Sequence, residues 1–194
     1  IEENRKVQNL IIVEGYMDVI SLYQNNFKTT VAPLGTALTS FQIEKAWKVC
    51  QSPIVIFDGD EAGQKAAERA SLLAIQNLQP DLSLRFSILP KNYDPDDFIN
   101  KNSAADFTKL LDQSLSLSEF LWRKELERED ISTPEKKAGF EKRIRTLLSK
   151  INNQTVREYY NKEFTEKIRL LKDANHNINK GYKTYYNKKV SNEI

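Results

Sequence analysis

The sequence predicts an α/β fold, a mostly parallel sheet with helices on both faces, followed by a small all-helical subdomain. Three observations predict it. Short apolar runs alternate with helical patterns over residues 1–114. Three of those runs lead into acidic residues: Leu10–Val13 into Glu14-Gly15, Ile54–Phe57 into Asp58-Gly59-Asp60, and Leu82–Leu89 into Asp94-Pro95-Asp96-Asp97. Past Ser114, apolar residues recur only at helical spacing. Strand–helix alternation with short connections is the pattern of a parallel sheet covered on both faces.

The elements follow in order. Leu10–Val13 reads as a strand buried on both faces, and Met17–Gln24 as a helix with Met17, Ile20 and Tyr23 facing inward. Thr29–Ala32 reads as a second strand. Thr39 and Gln42 fit the capping box of a helix that ends at Val49. Ile54–Phe57 is the third strand, and Glu61–Leu78 a long helix whose Ala62, Ala66, Ala67 and Ala70 let it lie close to the sheet. Leu82, Leu84, Phe86 and Ile88 alternate with polar residues, so the fourth strand is expected at an edge or exposed on one face. Asp97 either faces solvent or starts a short helix containing Phe98 and Ile99.

The helical part begins near Leu117. Thr133-Pro134-Glu135 supplies an N-cap, a first-turn proline and an acid matched to the helix dipole. Phe140, Ile144, Leu147, Leu148 and Ile151 form one apolar stripe, and Val156, Tyr160, Phe164, Ile168 and Leu171 another. Such stripes pack as a small bundle. The expected division is 1–114 for the sheet domain, 115–171 for the helical bundle and 172–194 for a linker or frayed end.

Composition sets bounds. The single cysteine, Cys50, excludes an internal disulfide or a cysteine-based zinc finger within this stretch. There is no run long enough for a membrane helix and no secretory signal, so a reducing cytoplasm is the expected compartment. The chain opens with Ile1-Glu2-Glu3 and reads as a piece of a longer protein. The net charge of +2 conceals an asymmetry: residues 1–114 hold 11 basic against 15 acidic side chains, residues 115–171 hold 13 against 10, and residues 172–194 hold 5 against 2. An acidic half beside a mildly basic one suits a cation site next to a surface that tolerates polyanions, although a solvated helical surface gives the same balance.

Parallel strands place their carboxyl ends along one rim, which gathers the three acidic segments. Like charges so gathered repel and raise one another's pKa, and a divalent cation would relieve them. The pattern therefore points to a hard-metal site and to chemistry on phosphates. Glu14 can act as a general base, as a metal ligand, or as a cap on the following helix. Asp58 and Asp60, two residues apart in an extended segment, can face one ion, while Gly59 removes a side chain that would crowd the turn; Asp60 can equally be the N-cap of the next helix. Asp94 and Asp96 repeat that spacing, stiffened by Pro95, and otherwise read as a turn. Asp18 is divided evenly between a metal role and stabilising its own helix end.

Glu14-Gly15-Tyr16-Met17-Asp18-Val19, Ala32 to Thr39 (APLGTALT), Phe57 to Gly63 (FDGDEAG) and Asp94-Pro95-Asp96 together resemble the Toprim catalytic region of bacterial DnaG-type primases. The helical part is also similar, through Ser132 to Ala138 and Val156 to Tyr160, so the resemblance covers roughly residues 8–170. It implies a Toprim-type sheet with Glu14, Asp58 and Asp60 as the catalytic, metal-binding acids, and Asp94, Asp96 and Asp18 completing the rim. It further implies magnesium, with manganese as a substitute, and template-directed joining of ribonucleoside triphosphates into an RNA primer on single-stranded DNA. Zinc is expected only in an N-terminal domain outside this chain. The replicative helicase is expected to bind through a C-terminal domain also outside it. By the same resemblance this piece holds the metals but makes little primer alone.

The remaining features read plainly. Trp47 and Trp122 fill cores. Gly35 either lets its loop approach the rim or makes a simple turn. His176 has no partner pattern. Lys183, Tyr185, Tyr186, Lys188 and Lys189 suit a linker better than a single-strand grip. Lys65 and Arg69 lie near the rim, where a solvated face is favoured over a phosphate contact. Three rival functions stand beside the primase: a Toprim nuclease or topoisomerase component, a phosphatase with Asp58 as nucleophile, and a non-catalytic binding module.

Overall fold

A computed structural model describes residues 9–33 and 37–177, with the backbone alone for 173–177. Gly35 and the Lys183–Lys189 run lie outside the described residues, as does the side chain of His176.

The sheet has five strands in the order β2-β1-β3-β4-β5, formed by Ile11–Ile12, Thr30–Val31, Ile54–Phe57, Arg85–Ile88 and Leu115–Ser116 in chain order from β1 to β5. The first four are parallel and β5 runs antiparallel to β4. Helix α1 (Tyr16–Gln24) connects β1 to β2, and α2 (Ser40–Val49) carries the chain back past β1 to β3. Helix α3 (Glu61–Asn77) then leads to β4, followed by α4 (Pro95–Lys101) and α5 (Ala104–Asp112). The bundle is α6 (Leu117–Arg128), α7 (Pro134–Leu148) and α8 (Gln154–Asn177).

Alternation along the strands divides the interior, as successive side chains point to opposite faces. Ile11, Val13, Ile54 and Ile56 join Leu22, Ile99, Phe107 and Leu111 on the face covered by α1, α4 and α5. Ile12, Val55, Phe57 and Phe86 join residues of α2, α3 and the bundle on the other. That second core is continuous from the sheet to Phe164 and Leu171 at the far end of the bundle. Phe86 of β4 stacks on Phe120 of α6 at 4.5 Å, and Trp122 packs edge-on to Phe140 and Phe164. Trp47 is buried and donates its indole N–H to the Ser83 carbonyl at 2.7 Å. Both tryptophans are core residues. Among the described residues no helix is long and apolar enough to cross a membrane.

Three expectations are corrected, and one helix is added. Met17, Ile20 and Tyr23 do not face inward: they are 54%, 47% and 56% exposed, and the buried seam of α1 is Asp18, Ser21 and Leu22. The backbone N–H groups of Gly15 and Asp96 donate to the Asp18 carboxylate, and these contacts set the rotation of the helix. The fourth strand is not an edge, because β5 pairs along it through Arg85↔Ser116 and Phe86↔Leu115. Helix α5 follows the short α4; its signal was the Ser103–Asp106 capping box ahead of Phe107 and Leu111. Finally, α8 continues to Asn177 and not to a break at Lys172.

The α2 capping box forms as expected. Gln42 N–H donates to Thr39 Oγ1 at 3.3 Å, and Thr39 N–H donates to Gln42 Oε1 at 2.9 Å. Thr39 is exposed, so Thr39→Ala removes the cap without opening a cavity. We expect a loss of about 1 kcal/mol, read as a lower urea midpoint with an unchanged slope.

Candidate active site at the acidic rim

The acidic segments meet because their strands are neighbours. Glu14 follows β1, Asp58 follows the adjacent β3, and Asp94–Asp96 follows β4 on the other side of β3. The Asp58 backbone N–H donates to Glu14 Oε1 at 3.4 Å, joining two segments 44 residues apart. Asp18 links the third: its Oδ2 accepts from Gly15 N–H at 3.0 Å and its Oδ1 from Asp96 N–H at 3.4 Å. Gly59 N–H donates to the Tyr93 carbonyl at 2.9 Å, which ties the Asp58–Asp60 turn to the loop before α4.

Within this rim the side chains differ in role. Asp60 is the N-cap of α3, its Oδ1 accepting from Gly63 N–H at 2.7 Å. Asp94 caps α4 by accepting from Asp97 N–H at 2.6 Å, and Asp96 accepts from the Asn100 side-chain amide at 2.8 Å. Asp18 is buried with both oxygens engaged by backbone donors, yet burial still raises its pKa. Asp58 is the exception. Its Oδ1 is buried and has no hydrogen-bond partner. Burial, and then the charges of Glu14, Asp18, Asp94 and Asp60, push its carboxyl up to about 7. Glu14 is exposed at the strand end.

A divalent cation fits this arrangement: a carboxylate oxygen without donors, in the field of four further acids, lacks only a positive partner. Among the described residues, no three His, Cys, Asp or Glu side chains are drawn together as an ion would hold them. The three segments are joined by hydrogen bonds at one rim, but their carboxylates are not gathered around a single point. The Asp58–Asp60 pair, expected to face one point, is instead divided between an unpartnered oxygen and a helix cap.

Sequence comparison adds identity to this geometry. A Toprim-like family model matches residues 11–99, and a model described as the DnaB-helicase binding domain of primase matches residues 118–173. A DNA primase of Rickettsia typhi is 39% identical over 168 residues, which cover 87% of this chain and 28% of that protein. The chain is a homologue of DnaG-type primases. A primase domain from Pseudomonas aeruginosa superposes with a TM-score of 0.78 at 34% identity, covering 85% of this chain and 52% of that one. A DnaG primase catalytic domain bound to single-stranded DNA gives 0.76 at 33% identity, covering 85% and 53%. The chain thus spans less than a third of the R. typhi primase and about half of each solved primase domain.

One expectation drawn from the DnaG resemblance is corrected here. The helicase-binding domain was placed outside the chain, whereas the model of that description matches the segment running from α6 into α8. Its apolar stripes read only as packing, and packing gives no sign of a partner.

The two basic candidates near the rim separate in this primase chain. Lys65 pairs with Glu61 one turn back and is largely solvated. Arg69 lines a cavity of about 300 Å³ that also includes Glu14.

Proposed function

We propose that the chain is the catalytic segment of a DNA primase, joining ribonucleoside triphosphates into short RNA primers on single-stranded DNA during replication. The observation that supports this reading is the hydrogen-bonded meeting of the Glu14, Asp58 and Asp96 segments, with one Asp58 carboxylate oxygen left unpartnered beside them. Asp58 and Glu14, with Asp60, Asp94 and Asp96 beside them, would hold magnesium, or manganese in its place. When bound, the metal lowers the pKa of the attacking 3′-hydroxyl and neutralises the triphosphate.

The chain's own residues supply position and proton handling. In the reaction the 3′-oxygen bonds to the α-phosphorus, the bond to the leaving pyrophosphate breaks, and the hydroxyl proton departs. Glu14, exposed just past β1, would accept that proton or orient the group that does. Asp18 ties the Glu14-Gly15 segment to the Asp94–Asp96 segment through its two backbone donors. Partners of the whole protein are then a single-stranded DNA template and the replicative helicase, the latter through α6–α8. The compartment is the cytoplasm.

The test is a primer-synthesis assay on the full-length protein comparing the native enzyme with Glu14→Gln. A fall of roughly 100-fold is expected for removing one charged group from a metal-dependent site. Equal RNA yield from both would overturn the assignment.

A further inference from the structure

We propose that the crevice between Glu14 and Arg69 binds a phosphate of the nucleic-acid strand or of the incoming nucleotide, with the Arg69 guanidinium as its contact. The inference deepens the primase reading and rests on it.

Topology places the crevice. From β1 the chain leaves through α1 to β2 on one side, then returns through α2 to β3 on the other. The connections therefore diverge between β1 and β3. In an open parallel sheet the gap outside the carboxyl ends at such a reversal of strand order is where ligands bind. The cavity of about 300 Å³ sits there, reaching from Glu14 and Phe57 on the strands to Leu38 before α2 and Ala66 on α3.

Chemistry then selects the ligand. Apart from Glu14 and Arg69 the described residues lining the crevice carry apolar side chains, so an exposed anion and an exposed cation face a solvent-open cleft. Neighbouring charges on α3 are matched: Lys65 by Glu61, and Glu68 by Arg128 at 3.9 Å. Arg69 has no hydrogen bond or ion pair among the described residues. The exposed Arg69 guanidinium, without a partner among the described residues, offers a planar fork of donors at the crevice, which suits the oxygens of a phosphate. It also offsets the repulsion that the acidic rim would exert on any polyanion brought beside it.

Two measurements on the full-length protein decide the matter and identify the source. Binding of a fluorescent single-stranded oligodeoxynucleotide is titrated across a range of NaCl concentrations, and kcat and KM for ribonucleoside triphosphates are measured separately. If a strand phosphate occupies the crevice, Arg69→Ala weakens oligonucleotide binding about tenfold and reduces the salt slope by about one. If the triphosphate does, KM rises about tenfold and oligonucleotide binding is unchanged. Arg69→Lys, which keeps the charge and loses the fork, should fall between native and Arg69→Ala. Ala37→Trp, at an exposed position on the cavity's mouth, should reproduce the same loss by filling it. Oligonucleotide affinity, salt slope and KM all within twofold of native in Arg69→Ala would overturn the proposal. With Glu14→Gln inactive, that result removes the crevice and leaves the primase reading standing. With Glu14→Gln fully active, the reading itself fails, and the oligonucleotide titration still judges Arg69.

Discussion

Asp58→Asn should raise the stability of the metal-free chain at pH 8 while lowering primer synthesis by the full-length protein roughly 1,000-fold. The two effects have one cause. In the folded chain the Asp58 carboxyl sits at about 7, against an ordinary value of 3.8. Between those values the folded state keeps a proton that the unfolded chain releases, so stability falls as pH rises from about 4 to 7 and the loss is complete above 7. Asparagine carries no charge at any of these pH values and removes that slope. A shift of this size corresponds to about 4 kcal/mol if unscreened, but Asp58 is only half-buried, and water reduces the expected gain to about 1–2 kcal/mol. Asp106, held at about 2 by the Ser103 hydroxyl and Lys109, acts in the opposite direction only below pH 4, while Asp18, also raised by burial, acts in the same direction as Asp58, so it is the difference between native and Asp58→Asn from pH 5 to 8 that isolates Asp58. Urea unfolding across that window is the measurement. Magnesium should stabilise the native chain at pH 8 and leave Asp58→Asn nearly unmoved, since only the native site gains a bound ion on folding. A native stability that climbs from pH 5 to 8 without metal would contradict the account of the rim.

Gly59→Ala should cost about 3 kcal/mol, at the upper end of what overpacking usually does. A methyl group at this position would lie 1.9 Å from the Pro90 carbonyl oxygen, with Pro90 C at 2.6 Å and the Leu89 oxygen at 2.7 Å. All three are backbone atoms on the strand end beside Asp58, and none can swing aside as a side chain would. Relief requires the β3 and β4 ends to separate, which also breaks the hydrogen bond from Gly59 to Tyr93 and moves Asp58 away from Asp94. The urea midpoint should therefore fall and metal binding should weaken with it. Gly139→Ala is the matched control. It lies inside α7, where an added methyl group meets nothing closer than the flexible end of Arg143 at 3.9 Å, so helix propensity alone should stabilise the chain by about 0.5–1 kcal/mol. If Gly59→Ala proved as harmless as Gly139→Ala, close approach would not be what this glycine provides.

Local signals in the sequence were legible wherever one segment contains its own reason. The four-residue run Ile54–Phe57 became a strand buried throughout, and Thr39 with Gln42 became a closed capping box. The stripes Phe140–Ile151 and Val156–Leu171 became packed helix faces, because periodicity over three or more turns leaves little choice of side. Asp60 and Asp94 could be read either as ligands or as caps, and the caps are visible in the structure because each accepts from the N–H three residues on. Strand β5 was not legible: two residues show no period, and they become a strand only because β4 offers an unpaired edge. That pairing removes the edge, and packing of Phe86 on Phe120 covers a face of the strand whose alternation suggested an edge or an exposed face.

The sequence alone determined the kinds of element, their order, and the delivery of acid to the end of each of three strands, since propensity, capping and strand polarity are properties of short segments. Only the tertiary structure decided which face of α1 turns inward, which carboxylates are occupied by helix caps, and that Asp58 is left with a buried oxygen and no donor. It also decided that Arg69 reaches the crevice beside Glu14 while Lys65 does not. Those outcomes depend on burial and on charges brought together from distant positions, and both are set by how the elements pack.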